Sequence, residues 1–239
     1  MDISGESVPV SRAVREPGLA VIPARGTPRG VVVLAHGGRS HDTRPDSHLR
    51  PPALRMWPFA LDFARHGRRL GLVTCQLRYR AVGFNDGDPV ADLHWALDRV
   101  ADRYEAPVSI VGHSMGARAA LLSAGHPAVV SVAALATWIT PEDRVSNVEG
   151  KAILLAHGLR DRVTDPARSF ALAEQLRRTG ARTVAAEVAG SGHTMLDRRG
   201  VWHSLAREFV LGTLGLAALP STLERALESE TEHDARVVV

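Results

Sequence analysis

The residues of this chain best suited to covalent chemistry are Ser114, Asp161 and His193, and together they would perform acyl transfer. Ser114 stands in "SIVGHSMGARAALLSAG" (109–125), where an apolar, strand-like run meets Gly-His-Ser-Met-Gly and then an alanine-rich, helix-like run. Two readings of that stretch start level. Serine is a favoured helix N-cap, and glycine is common at tight turns. A strand that delivers serine into a sharp turn at a helix N-terminus also makes a nucleophile, with free N–H groups and a positive dipole behind it. Gly112 and Gly116 would then be small because the strand and helix backbones come close together.

A serine hydroxyl is a weak nucleophile and needs a base held by a carboxylate. In "LLAHGLRDRVTDP" (154–166), Asp161 falls just past a strand end, and in "VAGSGHTML" (188–196), His193 falls in a Gly/Ser-rich loop after the last strand. Serine, acid, histidine is the chain order that a nucleophile elbow requires. Three separate features agree, which weighs against Ser114 as a mere cap. Asp165 is a rival acid, but Asp-Pro before a helix reads as an N-cap; Asp143, after an earlier strand, is a weaker rival. The developing oxyanion needs two backbone donors. They are the N–H of Met115 and one from "AHGGRS" (35–40), with Gly38 the first choice and Arg39 the fallback. Each such donor is worth roughly 3 kcal/mol of barrier.

Other reactive types carry less. His36 and His157, each in an "LAHG" echo at a strand end (34–37 and 155–158), read as turn-stabilising. His41 and His48 are irregularly placed and nothing matches zinc-ligand spacing, so no metal is expected. No cofactor is implied either. Cys75, the single cysteine, lies in the apolar run "LGLVTCQL" and reads as a buried structural thiol. Trp57, Trp138 and Trp202 are core or pocket-rim aromatics, and Trp138, directly after a strand, is the best candidate to line an acyl pocket. Arg39, in the turn after the first core strand, is a candidate substrate contact. Arg78 and Arg80 read either as surface charge or as recognition of an anionic substrate.

These residues must be positioned by an alternation of strands and helices. Buried strands are expected at 30–38, 70–80, 107–112, 129–137, 151–158 and 182–190. Helices are expected at 53–67, 88–104, 115–125, 165–180 and 199–214, with Pro58 implying a kink or late start in the first. Near-continuous apolar strands alternating with helices argue for an α/β fold with a mostly parallel sheet of about six core strands, covered on both faces. Ligands bind such sheets at the carboxyl edge. The expected division is a loose polar arm over 1–17, one domain over 18–216 and a polar tail over 217–239.

The 239 residues, 45% hydrophobic and 23% charged, suit one large domain with a substantial core. The net charge of +3 comes from scattered arginines, so nucleic-acid binding is not expected. One cysteine excludes an intrachain disulfide framework and suits a reducing compartment. With no signal-like apolar region and no run of membrane-spanning length, a cytoplasmic protein is expected. A small-molecule acyl compound is the expected partner, with no membrane; monomer and homodimer stay open.

Between about residues 30 and 212 the chain resembles the α/β-hydrolase superfamily, specifically its small, capless esterase or dienelactone-hydrolase-like members. The resemblance rests on "HGG" (36–38), "GHSMG" (112–116), "HGLRDRV" (157–163) and "GSGHTM" (190–195). It implies Ser114 as nucleophile, Asp161 as orienting acid, His193 as general base, and His113 as a residue that shapes the pocket or packs nearby. Many members insert a lid before the strand that precedes the acid. Here that segment is only "WITPEDRVSNVEG" (138–150), too short for a cap domain, so an open pocket partly closed by the loop 39–52 is expected. The implied activity is hydrolysis of an ester or thioester. The alternatives are a cofactor-free perhydrolase and a non-catalytic binding or biosynthetic scaffold of the same fold.

Overall fold

The structure is a computed structural model describing residues 15–229, 231 and 234–239. The strands are β1 (Gly18–Ile22), β2 (Gly30–Ala35), β3 (Leu72–Arg78), β4 (Val108–His113), β5 (Val129–Leu135), β6 (Ala152–Gly158), β7 (Arg182–Val188) and β8 (Arg236–Val238). The helices are α1 (Pro51–Gly67), α2 (Asp88–Tyr104), α3 (Met115–Leu122), α4 (Pro166–Arg178), α5 (Arg199–Thr213) and α6 (Ser221–Glu228). One sheet runs in the order β1-β3-β2-β4-β5-β6-β7-β8. Only β1 is antiparallel, pairing with β3; the other neighbours are parallel.

Alternation along the strands builds two cores, because successive side chains point to opposite faces. On one face Val31, Val33 and Ile110 pack with Leu93 and Leu97 of α2, Leu121 of α3 and Leu176 of α4. On the other, Val32, Leu34 and Val111 pack with Met56 and Phe63 of α1 and Trp202 and Phe209 of α5. Each fully buried Leu, Val or Phe contributes roughly 1.5–3 kcal/mol. Both faces are therefore dry, which is why the strands read as unbroken apolar runs.

The six expected strands are β2 to β7, and two more flank them. The segment after Leu216, expected as a polar tail, carries α6 and β8. Leu223, Ala226 and Leu227 of α6 are buried in the same cluster as Trp202, and β8 extends the sheet beside β7. The arm expected over 1–17 lies outside the described residues as far as residue 14, and β1 begins at Gly18. Helix α1 starts at Pro51 and runs through Pro58, with prolines filling its first positions, where no intrahelical N–H bond is needed. No cap domain stands between β5 and β6.

From β2 the chain moves outward to β3, then returns to place β4 on the other side of β2. The carboxyl ends of β2 and β4 thus flank a topological switch point, where loops diverge and leave a crevice. The turn after β2 and Ser114 meet there.

Candidate active site

Ser114 follows directly on β4 with φ 55° and ψ −115°, a conformation that non-glycine residues seldom adopt. Gly112 and Gly116 permit it. A Cβ on Gly112 would collide with the Gly116 carbonyl, and one on Gly116 with the Ala35 carbonyl. The Ser114 side chain makes no capping bond to α3, although it sits at the N-cap position. Instead its Oγ lies 3.0 Å from His193 Nε2.

His193 Nδ1 donates to Asp161 Oδ2 at 2.8 Å. The same oxygen accepts from Thr164 Oγ1 at 2.8 Å and from His157 Nε2 at 3.0 Å. Asp161 Oδ1 accepts from the backbone N–H groups of Val163 and Thr164 at 2.8 and 3.0 Å. Burial by itself would raise the Asp161 carboxyl, but the Thr164 and Val163 amides, then His193 and the Thr164 hydroxyl, outweigh it and hold it at about 2. His157 is fully buried, accepts from Ser169 Oγ at 2.7 Å on Nδ1, and is pushed down by that burial. It is therefore a neutral donor to Asp161. The rival Asp165 spends its Oδ1 on the Ala167 amide at 2.9 Å as the N-cap of α4. Asp143 is engaged by Arg118 at 2.8 Å.

Beside Ser114 stand two amides without a hydrogen-bond partner among the described residues. One is Met115, the first residue of α3; the other is Gly38 in the turn after β2. The Arg39 amide, the fallback donor, is occupied by Val82 O at 3.3 Å. Its side chain is 69% exposed and 3.9 Å from Asp42. The turn is braced from below by His36, whose Nδ1 donates to Gly37 O at 2.7 Å and whose Nε2 meets buried Asp46 at 2.9 Å. Asp46 lies in the loop 39–52, which is tied down further by Asp42 O to the Gly83 amide at 2.8 Å and Arg44 O to the Val82 amide at 3.1 Å.

The other residues singled out in the sequence have partners of their own. His113, expected to shape the pocket or pack nearby, is buried, with Nε2 donating to the His193 carbonyl at 2.9 Å. It steadies the His193 loop. The reason is the sharp turn at Ser114, which drives the preceding side chain inward. Ser191 does similar work, accepting from Trp202 Nε1 at 2.8 Å and donating to Asp197 O at 3.0 Å. Trp138 sits over the Arg118 guanidinium at 4.6 Å and edges Phe84 at 5.8 Å. These three line a broad open depression of about 1030 Å³ whose walls do not include Ser114. Arg80 is paired with Asp92, whereas Arg78 donates to the backbone carbonyls of Glu16 and Tyr79. Cys75 is buried and its thiol pushed up to about 12, which keeps it protonated and inert. Among the described residues no group of three or more His, Cys, Asp or Glu is placed to hold a metal ion, and no helix is long and apolar enough to cross a membrane.

The sequence reading missed Thr164 and His157 as partners of Asp161. His157 carried a signal in "HGLRD", four residues ahead of the acid; Thr164 depends on the turn of the 161–165 loop and carried none.

An eight-stranded, almost wholly parallel sheet with a serine elbow after β4 is the α/β-hydrolase fold in a lid-less form. No protein-family model matches the sequence, and no curated protein does. Among solved structures, an α/β serine hydrolase homologue from Coxiella burnetii is 17% identical, with TM-score 0.61 over 80% of this chain and 90% of that one. An α/β serine hydrolase without lid from Xanthomonas campestris is 20% identical, with TM-score 0.60 over 81% and 89%. A thermostable carboxyl esterase from Bacillus coagulans is 14% identical, with TM-score 0.61 over 83% and 94%.

Proposed function

We propose that the protein is a serine hydrolase that cleaves a carboxylic ester or thioester of a small to medium acyl compound through an acyl-enzyme. The observation that carries this reading is the Ser114 hydroxyl. It leaves the capping position of α3 unused and meets His193 Nε2 at 3.0 Å from a strained backbone. The fold it shares with solved serine hydrolases and an esterase supports the same reading.

In this mechanism His193 Nε2 takes the Ser114 proton as Oγ bonds to the carbonyl carbon. Asp161 holds the imidazole by Nδ1–H and stabilises the imidazolium that forms. The amides of Met115 and Gly38 receive the oxyanion, each lowering the barrier by about 3 kcal/mol. His193 then returns the proton to the departing oxygen or sulfur as the carbon–heteroatom bond breaks. Water, deprotonated by the same imidazole, releases the acid and restores Ser114. Loss of the nucleophile in such a unit costs roughly 10⁶-fold in kcat.

Wild-type protein is therefore expected to hydrolyse aryl esters and to be labelled by a fluorophosphonate, and Ser114→Ala to lose both with an unchanged circular dichroism spectrum. Retained hydrolysis in Ser114→Ala would overturn the assignment. Wild-type protein that neither labels nor turns over would instead be a binding scaffold of the same fold.

A further inference from the structure

A groove of about 340 Å³ opens beside the His193 loop, between the N-terminal half of α1 and the start of α5. The residues that follow His193, Thr194 to Leu196, form one wall. Phe59, Pro58 and Met195 make it apolar, and Leu54 and Leu196 stand at its rim 48% and 65% exposed. Such a volume is at the lower end of ligand pockets, about 300–1,000 Å³, and suits a single ring or a short chain.

Its charge is one-sided. Arg55 and Arg199 line it, and no carboxylate does. Among the described residues neither guanidinium makes a hydrogen bond or an ion pair. Three other partly buried arginines each have a carboxylate partner, Arg80 in Asp92, Arg118 in Asp143 and Arg207 in Asp62. Arg55 is half-buried, and desolvation pushes its guanidinium down from the usual arginine range. Its field reaches the catalytic side of the molecule, where it helps to keep His113 neutral. His203 adds a flat surface, stacked on Phe59 with centroids 4.0 Å apart, and burial pushes it toward the neutral form. An apolar slot closed by two unmatched guanidinium groups is complementary to an amphiphilic anion.

Position says which part of a substrate would enter. The departing atom must take its proton from His193 Nε2, so the leaving group occupies the His193 side of the site. We infer that this groove binds the leaving group, an apolar alcohol or thiol that ends in an anion. This rests on the hydrolase reading above.

The test compares three acetyl esters that differ at the para position of the phenol: 4-acetoxybenzoate, 4-acetoxyphenyl phosphate and the neutral 4-acetoxybenzamide. The kcat/KM ratio of anionic to neutral ester is measured in wild type and in the double variant Arg55→Gln/Arg199→Gln. Comparing ratios between proteins cancels the intrinsic reactivity of each ester. The ratio for at least one anion is expected to fall about tenfold in the double variant, and the anion with the larger fall identifies the chemistry preferred. Arg162→Gln, at an exposed arginine outside the groove, is the control and should keep the wild-type ratio. Ratios unchanged in the double variant, or lowered equally by Arg162→Gln, would overturn the inference. Calorimetric binding of the products 4-hydroxybenzoate, 4-hydroxyphenyl phosphate and 4-hydroxybenzamide gives an answer independent of turnover. Weaker binding of an anion in the double variant, without hydrolysis by wild type, would keep the groove and remove the hydrolase reading. Equal binding of all three products by wild type would remove the groove.

Discussion

Around His193, two other histidines keep the imidazole in place while staying neutral themselves. His157 donates to Asp161 from below, and His113 donates to the His193 carbonyl from behind. For His113, burial and then the proximity of His193 push the ring down to about 3, because a second proton on its Nδ1 would find no acceptor among the described residues. The folded protein therefore refuses a proton that the unfolded chain accepts below about 6.5. Stability from this group is complete above that pH and is lost as pH falls toward 3, by up to about 1.4 kcal/mol per pH unit. Asp161 has the same sense, in a lower pH window. Its depressed carboxyl adds stability that persists until pH falls through 4 toward about 2. Urea unfolding of His113→Gln at pH 7 and pH 5 should thus show an acid loss smaller than wild type by about 1–2 kcal/mol. Parallel losses in the two proteins would show that His113 carries no such linkage.

The elbow is the element on which the chemistry depends, and its tolerances are backbone ones. At Gly116 an added Cβ would meet the Ala35 carbonyl of β2, and neither strand nor helix can retreat without unpacking Met115 and Val33 from the core. Gly116→Ala is expected to cost at least about 2 kcal/mol in urea unfolding and to reduce kcat/KM with it, whereas Ala117→Gly, one residue on, should cost about 1 kcal/mol or less from helix propensity. Equal effects at the two positions would mean that the turn has more room than the structure gives it. The elbow was legible in the sequence because strand, glycines and helix are local. So was the order of Ser114, Asp161 and His193, since each follows a strand whose two faces are both buried. Strands β1 and β8 were not. "GLAVI" is a half-exposed edge and "RVV" is three residues long, too short to display a period, so only their neighbours define them. For His113 the resemblance left pocket-shaping and nearby packing open, and the structure shows the packing. The direction of a side chain before a sharp turn is set by the turn's dihedrals, which residue types do not state.

For the whole molecule the C-terminal segment decides where the sheet ends. The Ala185 amide bonds Ala235 O at 3.0 Å and the Val239 amide bonds Glu187 O at 2.9 Å, so β7 is an interior strand only while β8 is present. Helix α6 adds Leu223 and Leu227, both buried, to the cluster that holds Trp202 and, through Ser191, the His193 loop. Two buried leucines alone contribute roughly 3–6 kcal/mol, comparable to the 5–15 kcal/mol by which domains are stable. Ending the chain after Ser229 removes only β8 and leaves a bare edge on β7. That truncation should stay folded, with a Tm lower by about 2–8 °C for a loss of 1–2 kcal/mol. Ending it after Ala217 also removes α6, uncovers apolar surface beside the exposed edge, and should give insoluble protein. A soluble chain ending at Ala217 with the Tm of the full chain would make the segment a true tail, and the domain would close at β7.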